Sequence, residues 1–203
     1  SNSQRLIPLT SPAASPQKKL LEEVRSRLSE PCLEFAEEVL GLVGTVVLRI
    51  AVQATPGMLA EDPLTVVTDG YPCLLVEDAF KGPHPESSAL DYHRDLDALE
   101  VRKLFTYNMS HAATAYLGWR KGYATIAEAL DDPEIESAVR GALEEVSVGF
   151  VEEYGFTEEE MDIHRENVIR KFKNPVLGDT PHRVGANPVR KLQYSDRMIG
   201  AAR

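Results

Sequence analysis

The chain is poor in cysteine, has a single tryptophan and contains no long apolar run. Cys32 and Cys73 are its only two cysteines in 203 residues, and they stand in no CxxC or Cys/His ligand spacing. That argues against a disulfide framework or a structural zinc site as the organising device, and leaves open only one Cys32–Cys73 bridge. No pair among the five histidines has the i, i+4 spacing of a helical zinc site, so no metal is expected. A membrane-spanning helix needs about 20 apolar residues, which no segment supplies. The N-terminus also lacks the basic-then-apolar pattern of a secretion signal, and the expectation is a cytoplasmic protein. Positive charge is scarce: 22 Lys and Arg face 32 Asp and Glu, a formal charge of −10. A sequence-independent grip on nucleic acid or on an anionic membrane needs the opposite balance. Finally, no strand is followed by GxGxxG. Gly41 and Gly44 in "GLVGTVV" precede a candidate strand, the wrong order for a dinucleotide cradle.

What is present is ordinary globular material, 43% apolar and 27% charged. Ser1-Asn2 matches the remnant of a cleaved affinity tag, and residues 1–16, rich in Ser and Pro, read as a flexible lead-in. Leu20, Leu21, Val24 and Leu28 recur at helical spacing, and Pro31 opens a second helix to about Leu42. The runs "TVVLRIAV" (45–52), "LTVVT" (64–68) and "CLLVED" (73–78), bounded by turn residues, predict a small sheet of about three strands within 17–91. From Tyr92 to the end the pattern is helical: 92–118, 125–131, 133–154 and 157–172. Gly155 marks a helix C-terminus, Thr157 with Glu160 a capping box, and Asn174-Pro175 a stop. Residues 174–192, with three Pro and two Gly, read as an ordered loop.

The helix over 103–122, "KLFTYNMSHAATAYLGWRKG", poses the functional question. At about 100° per residue, Asn108 lies about 140° round from Lys103, His111 about 80° and Glu100 about 60°, all within one arc. Their neighbours Leu104, Phe105, Met109 and Ala112 are core material. Polar groups on a buried helix need partners or a ligand, since an unpaired ammonium or amide in low dielectric is costly. Such a set suits proton transfer at an alcohol. A desolvated lysine titrates nearer neutrality and serves as general base, an asparagine amide donates to a developing oxyanion, and a histidine holds a neighbouring hydroxyl. Glu100 could relay the proton to solvent. The plainer alternative is a set of surface side chains with a satisfied histidine.

The stretch "RKLFTYNMSHAATAYLG" (102–118), with Lys, four residues, Asn, two residues and His, resembles the substrate-binding helix of the polyol-specific long-chain dehydrogenases. The likeness is greatest to the branch acting on mannitol 1-phosphate. It continues through "LRIAVQATP", "DAFKG", "RKFKNPVLGD", "HRVGANPVRKL" and "SDRMI", covering roughly residues 28–200. The resemblance implies a mainly α chain with a small β-sheet. Residues 92–203 would be the helical substrate-binding domain (6-phosphogluconate dehydrogenase C-terminal-like), and residues 17–91 would extend the sheet of an N-terminal Rossmann domain that this chain lacks.

It further implies NAD as cofactor, held on that other domain, and interconversion of mannitol 1-phosphate and fructose 6-phosphate by hydride transfer. Lys103 would be the general base, Asn108 would polarise the carbonyl oxygen and His111 would orient the substrate hydroxyls. Arg183, Arg190 and Lys191 would contact the substrate's phosphate end, or else pin their loop onto the helices. Asn174 and Asp179 read as loop-capping residues. One departure from the family pattern is Ala186, where these enzymes commonly carry a further arginine. The helical domain of the family also normally continues past "SDRMIGAAR". A sheet edge left without its Rossmann partner predicts a homodimer through that edge. The rivals are a fructuronate or tagaturonate reductase or a mannitol 2-dehydrogenase of the same family, and a non-catalytic helical module.

Overall fold

The computed structural model describes residues 16–39, 41, 43–52 and 54–203. The lead-in over residues 1–15 and the end of the second helix at Leu42 fall outside them. In chain order the elements are α1 (Pro16–Arg27), α2 (Glu30–Val39), β1 (Thr45–Val46), β2 (Ala51–Val52), α3 (Pro56–Glu61), β3 (Val67–Thr68), β4 (Leu74–Glu77) and β5 (Leu90–His93). They are followed by α4 (Leu96–Lys103), a π-helical turn (Leu104–Asn108), α5 (Met109–Lys121), α6 (Ile126–Leu130), α7 (Pro133–Tyr154) and α8 (Glu158–Phe172). A 3-10 turn (Pro175–Leu177), α9 (Pro181–Gly185) and α10 (Pro188–Lys191) complete the described chain.

These elements form two compact units. The first comprises the described residues up to Arg49 together with Gly70–Glu100. Its three-stranded sheet has the order β1-β4-β5, with β1 antiparallel to β4 and β4 parallel to β5. Val46, Leu75 and Val76 are its buried side chains. Strand β5 is absent from the sequence reading, which starts a helix at Tyr92. "LDYH" alternates Leu90 and Tyr92 with Asp91 and His93 over only four residues, too short a run to stand out from the helix that follows, and it is held by backbone pairing of Leu74 to Leu90 through Glu77 to His93. The helix begins four residues later, where the Asp95 carboxylate accepts from the Ala98 amide at 3.0 Å.

The second unit comprises Ile50–Asp69 and Val101–Arg203. Here the run 45–52 does not continue as one strand: its end, β2, pairs antiparallel with β3 in a separate two-stranded sheet. Asp69 anchors that ribbon. Its carboxylate accepts from the Ile50 amide at 3.1 Å and pairs with Lys171 on α8 at 2.6 Å, and both side chains are nearly buried. The Lys171 ammonium also sits 5.2 Å over the Tyr107 ring.

The helices assemble around α5, which packs against α6, α7 and α9. Ala115, Leu130, Val139, Leu143 and Val168 fill the centre, each essentially without solvent contact. Burying one such Leu or Val contributes about 1.5–3 kcal/mol. A second cluster gathers Val101, Phe105, Phe150 and Met161. Helix boundaries follow local chemistry closely. Asp132 caps α7 from the Glu134 and Ile135 amides, with Pro133 in the first turn, and Gly155 ends it at φ 72°. Thr157 and Glu160 form the reciprocal capping box that opens α8.

The segment expected as an ordered loop, 174–192, consists instead of three short helical turns. Pro175, Pro181 and Pro188 each occupy a first-turn position, so the prolines that signal a loop start helices here. No helix among the described residues is long and apolar enough to cross a membrane.

Candidate active site

The helix carrying the Lys-Asn-His motif is not a uniform α-helix. Between α4 and α5 it widens into a π-turn over Leu104–Asn108, where the Met109 amide reaches the Leu104 carbonyl five residues back. This corrects the angular reading. In an α-helix the neighbours along the axis are i and i+4. A turn closed by i to i+5 bonds gives that relation to Lys103 and Asn108, which regular spacing would set about 140° apart. Lys103, Asn108 and His111 are all half-buried. Glu100, also half-buried, belongs to the sheet-bearing unit.

A stripe of buried hydroxyls lines the same helix. Thr106 donates to the Arg102 carbonyl at 2.6 Å, Ser110 to that of Thr106 at 2.6 Å, and Thr114 to that of Ser110 at 2.8 Å. Each hydroxyl satisfies itself one turn back, which lets polar residues sit in the core and tends to bend the helix. Since the Thr106 proton is already committed, its oxygen accepts from Nε2 of His164 on α8 at 2.8 Å. Burial, with Arg102 adding to it, holds His164 down to about 3, so this ring is neutral and structural.

His111 stacks on Phe172, with centroids 4.2 Å apart and planes 15° from parallel. Its Nε2 lies 3.1 Å from Oδ2 of Asp179, and that carboxylate is only 7% exposed. Burial first, then the cations Arg183, Lys191, Arg197 and Lys171, lower its pKa to about 3. An adjacent carboxylate acts the other way, but Arg183 shares the charge of Asp179, and burial wins. Around His111, Phe172, Leu177, Gly178 and Asp179 the cavity is about 10 Å³, room for no more than a water molecule. That cavity is too small to take a sugar-sized ligand. Two larger hollows, about 210 and 250 Å³, lie between α7 and α8, lined by other residues.

The 174–192 segment supplies the remaining residues. Asn174 caps the 3-10 turn, accepting from the Val176 amide at 3.0 Å, which is the expected loop-capping role. Asp179 is not the cap expected of it, a place taken by Thr180 at the start of α9: its backbone carbonyl takes the Ile126 amide at 2.8 Å, and its carboxylate joins Arg183 to the neighbourhood of His111. No local signal in "LGDTP" announces this, because the partner histidine is distant in sequence. Arg183 and Arg190 are well exposed, at 64% and 54%, and Arg190 reaches Asp196 only at 3.9 Å. Lys191 is turned inward instead. It is 7% exposed, and its ammonium donates to the carbonyls of Val184 and Ala186, the loop-pinning alternative. Burial and the surrounding cations lower its pKa.

A sequence model of the family described as mannitol dehydrogenase C-terminal domain matches residues 95–203. The chain belongs to the mannitol dehydrogenase family, whose C-terminal domain it carries. Curated relatives include the mannitol-1-phosphate 5-dehydrogenase of Bacillus subtilis (strain 168), 37% identical over 185 residues, covering 91% of this chain and 48% of the relative. The enzyme of the same name from Streptococcus mutans serotype c (strain ATCC 700610 / UA159) is 35% identical over 181 residues, 89% of this chain and 46% of the relative. The chain thus spans about half the length of the curated relatives it matches.

Among solved structures, a substrate-free D-sorbitol dehydrogenase superposes with a TM-score of 0.72 at 22% identity, covering 87% of this chain and 38% of that one. The Pseudomonas fluorescens mannitol 2-dehydrogenase, solved with NAD and D-mannitol, gives 0.66 at 21%, covering 83% and 36%. At that identity the likeness establishes the fold. The mannitol dehydrogenase C-terminal domain is accordingly mainly helical, with a small sheet.

Proposed function

We propose that this chain is the substrate-binding and proton-transferring part of an NAD-dependent dehydrogenase that interconverts mannitol 1-phosphate and fructose 6-phosphate. The observation that carries the reading is the π-turn, which makes Lys103 and Asn108 axial neighbours at the head of the helix bearing His111. π-turns inside α-helices are frequent at functional sites. The substrate's phosphate suggests itself from the mannitol-1-phosphate 5-dehydrogenases among the relatives, and from the exposed guanidinium groups of Arg183 and Arg190, whose planar fork matches phosphate oxygens.

In this reading the Lys103 amine accepts the hydroxyl proton of the alcohol, and Glu100 passes it towards solvent. The Asn108 amide donates to the oxygen as it gains carbonyl character. His111, neutral and stacked on Phe172, holds a neighbouring substrate hydroxyl. Lys191 anchors the loop that presents the two arginines. No strand followed by a glycine-rich turn and a helix occurs among the described residues. The reading assigns NAD to a Rossmann domain in the portion of the relatives that this chain does not match. A homodimer through the edge of the β1-β4-β5 sheet belongs to the same proposal.

The test uses the full-length protein with mannitol 1-phosphate, mannitol and mannonate as substrates. Lys103→Ala is expected to lower kcat by about 10²–10⁴-fold, the usual worth of general acid–base catalysis. A variant keeping the wild-type rate between pH 7 and 9 would remove Lys103 from the mechanism. Preferential turnover of mannitol or mannonate would favour a mannitol 2-dehydrogenase or a hexuronate reductase. No turnover of any of them would favour a non-catalytic module.

A further inference from the structure

Two buried polar atoms face each other beside the candidate site without completing a hydrogen bond. Nε2 of His111 and Oδ2 of Asp179 are 3.1 Å apart, and neither has a hydrogen-bond partner among the described residues. The other carboxylate oxygen, Oδ1, is held by the Arg183 guanidinium. A carboxylate offers only acceptors, whereas a neutral imidazole carries one N–H and one lone pair. A lone pair on Nε2 would face a second lone pair at a separation too short for a water molecule to bridge, an uncompensated repulsion. The nitrogen that faces Asp179 must therefore be the protonated one. Phe172 stacks on the face of the ring, with planes 15° from parallel.

We propose that Asp179 is a positioning residue: held by Arg183, it fixes His111 as the Nε2–H tautomer and leaves Nδ1 as an acceptor for a hydroxyl group of the substrate. The catalytic consequence rests on His111 orienting the substrate, as read above, but the tautomer itself does not. The arrangement also ties the exposed guanidinium of Arg183 to the imidazole through one buried carboxylate, so the two ends of the site are set by the same side chain. Leaving the tautomer unfixed would cost binding, because a ring protonated on Nδ1 presents a donor where the hydroxyl needs an acceptor.

The test is ring-nitrogen NMR of the full-length protein labelled with ¹⁵N-histidine, with the His111 signals assigned by their loss in His111→Gln. The wild type should show a neutral Nε2–H imidazole between pH 6 and 8. In Asp179→Asn the amide oxygen stays with Arg183, which can only donate, so the NH₂ turns to the ring and should switch His111 to the Nδ1–H form. In the same variant kcat/KM for mannitol 1-phosphate should fall about 10–100-fold, mostly through KM, as expected when a polar contact to substrate is mismatched. A wild-type Nδ1–H imidazole, or the same tautomer in both proteins, would overturn the proposal, and the wild-type spectrum alone can do so even if the variant fails to fold. A tautomer switch with unchanged kcat/KM would uphold the positioning and remove His111 from substrate contact. A loss of activity without a switch would leave Asp179 a purely structural role and refute it.

Discussion

Acid should unfold the helical unit earlier than its carboxylates alone would dictate, because two histidines are folded in the neutral state. His111 and His164 are both held to about 3, against 6.5 for the exposed side chain, in each case chiefly by burial. Between those values the unfolded chain binds protons that the folded one does not, so stability rises with pH and is lost as pH falls below 6.5. Each unit of pH in that window is worth about 1.4 kcal/mol per group, which makes the descent from pH 7 to 5 cost about 2 kcal/mol per histidine. Partial exposure, and the Asp179 carboxylate beside His111, trim the sum to about 2–4 kcal/mol for the pair, a large part of a typical 5–15 kcal/mol stability. Glu136 and Glu166 have lowered pKa values through Lys173 and Arg140, and the stability they contribute is lost only below the ordinary carboxylate value of 4.5. Urea unfolding followed by circular dichroism at pH 5, 6 and 7 therefore reads the histidines. His164→Gln, which keeps an amide donor for Thr106, should remove about half of the slope. Equal stability at pH 5 and 7, within about 0.5 kcal/mol, would refute the burial argument.

Other perturbations probe the frame around the site. Lys171→Ala takes the ammonium away from the nearly buried Asp69 carboxylate, and breaking such a pair should cost about 3 kcal/mol in urea unfolding, with early loss of amide protection in β2 and β3. Gly118→Ala would place a Cβ 2.6 Å from that of Ala129, forcing α5 and α6 apart. A loss of about 1–3 kcal/mol is expected, and an unchanged melting temperature would show that the helices can shift freely.

Sequence pattern recovers the elements whose signals are local. Pro133 to Gly155 bounds α7 and the Thr157–Glu160 box opens α8, since caps and first-turn prolines act within a few residues. β5 is missed because its alternation lasts only four residues, and the pairing with β4 that holds it extended is not local. The π-turn is invisible for a related cause: "LFTYN" contains no residue that forbids an α-helix, and the widening is expressed only in the backbone bonding. Of the candidate site residues, Lys103, Asn108 and His111 stand close in sequence and are nominated by motif. Asp179 is separated from His111 by the whole of α6, α7 and α8, so its pairing exists only once the helices have packed.

The π-turn has one further consequence, for length variation. It holds one more residue than an α-helical turn, so shortening Leu104–Asn108 by a single position would let α4 and α5 fuse into one regular rod. With α5 in its seat, such a rod would swing Lys103 by about 100° about the axis, and Val101 of the Phe105–Phe150–Met161 cluster with it. A length change at this turn is thus felt twice, in the direction of the Lys103 side chain and in the packing of Val101 and Phe105.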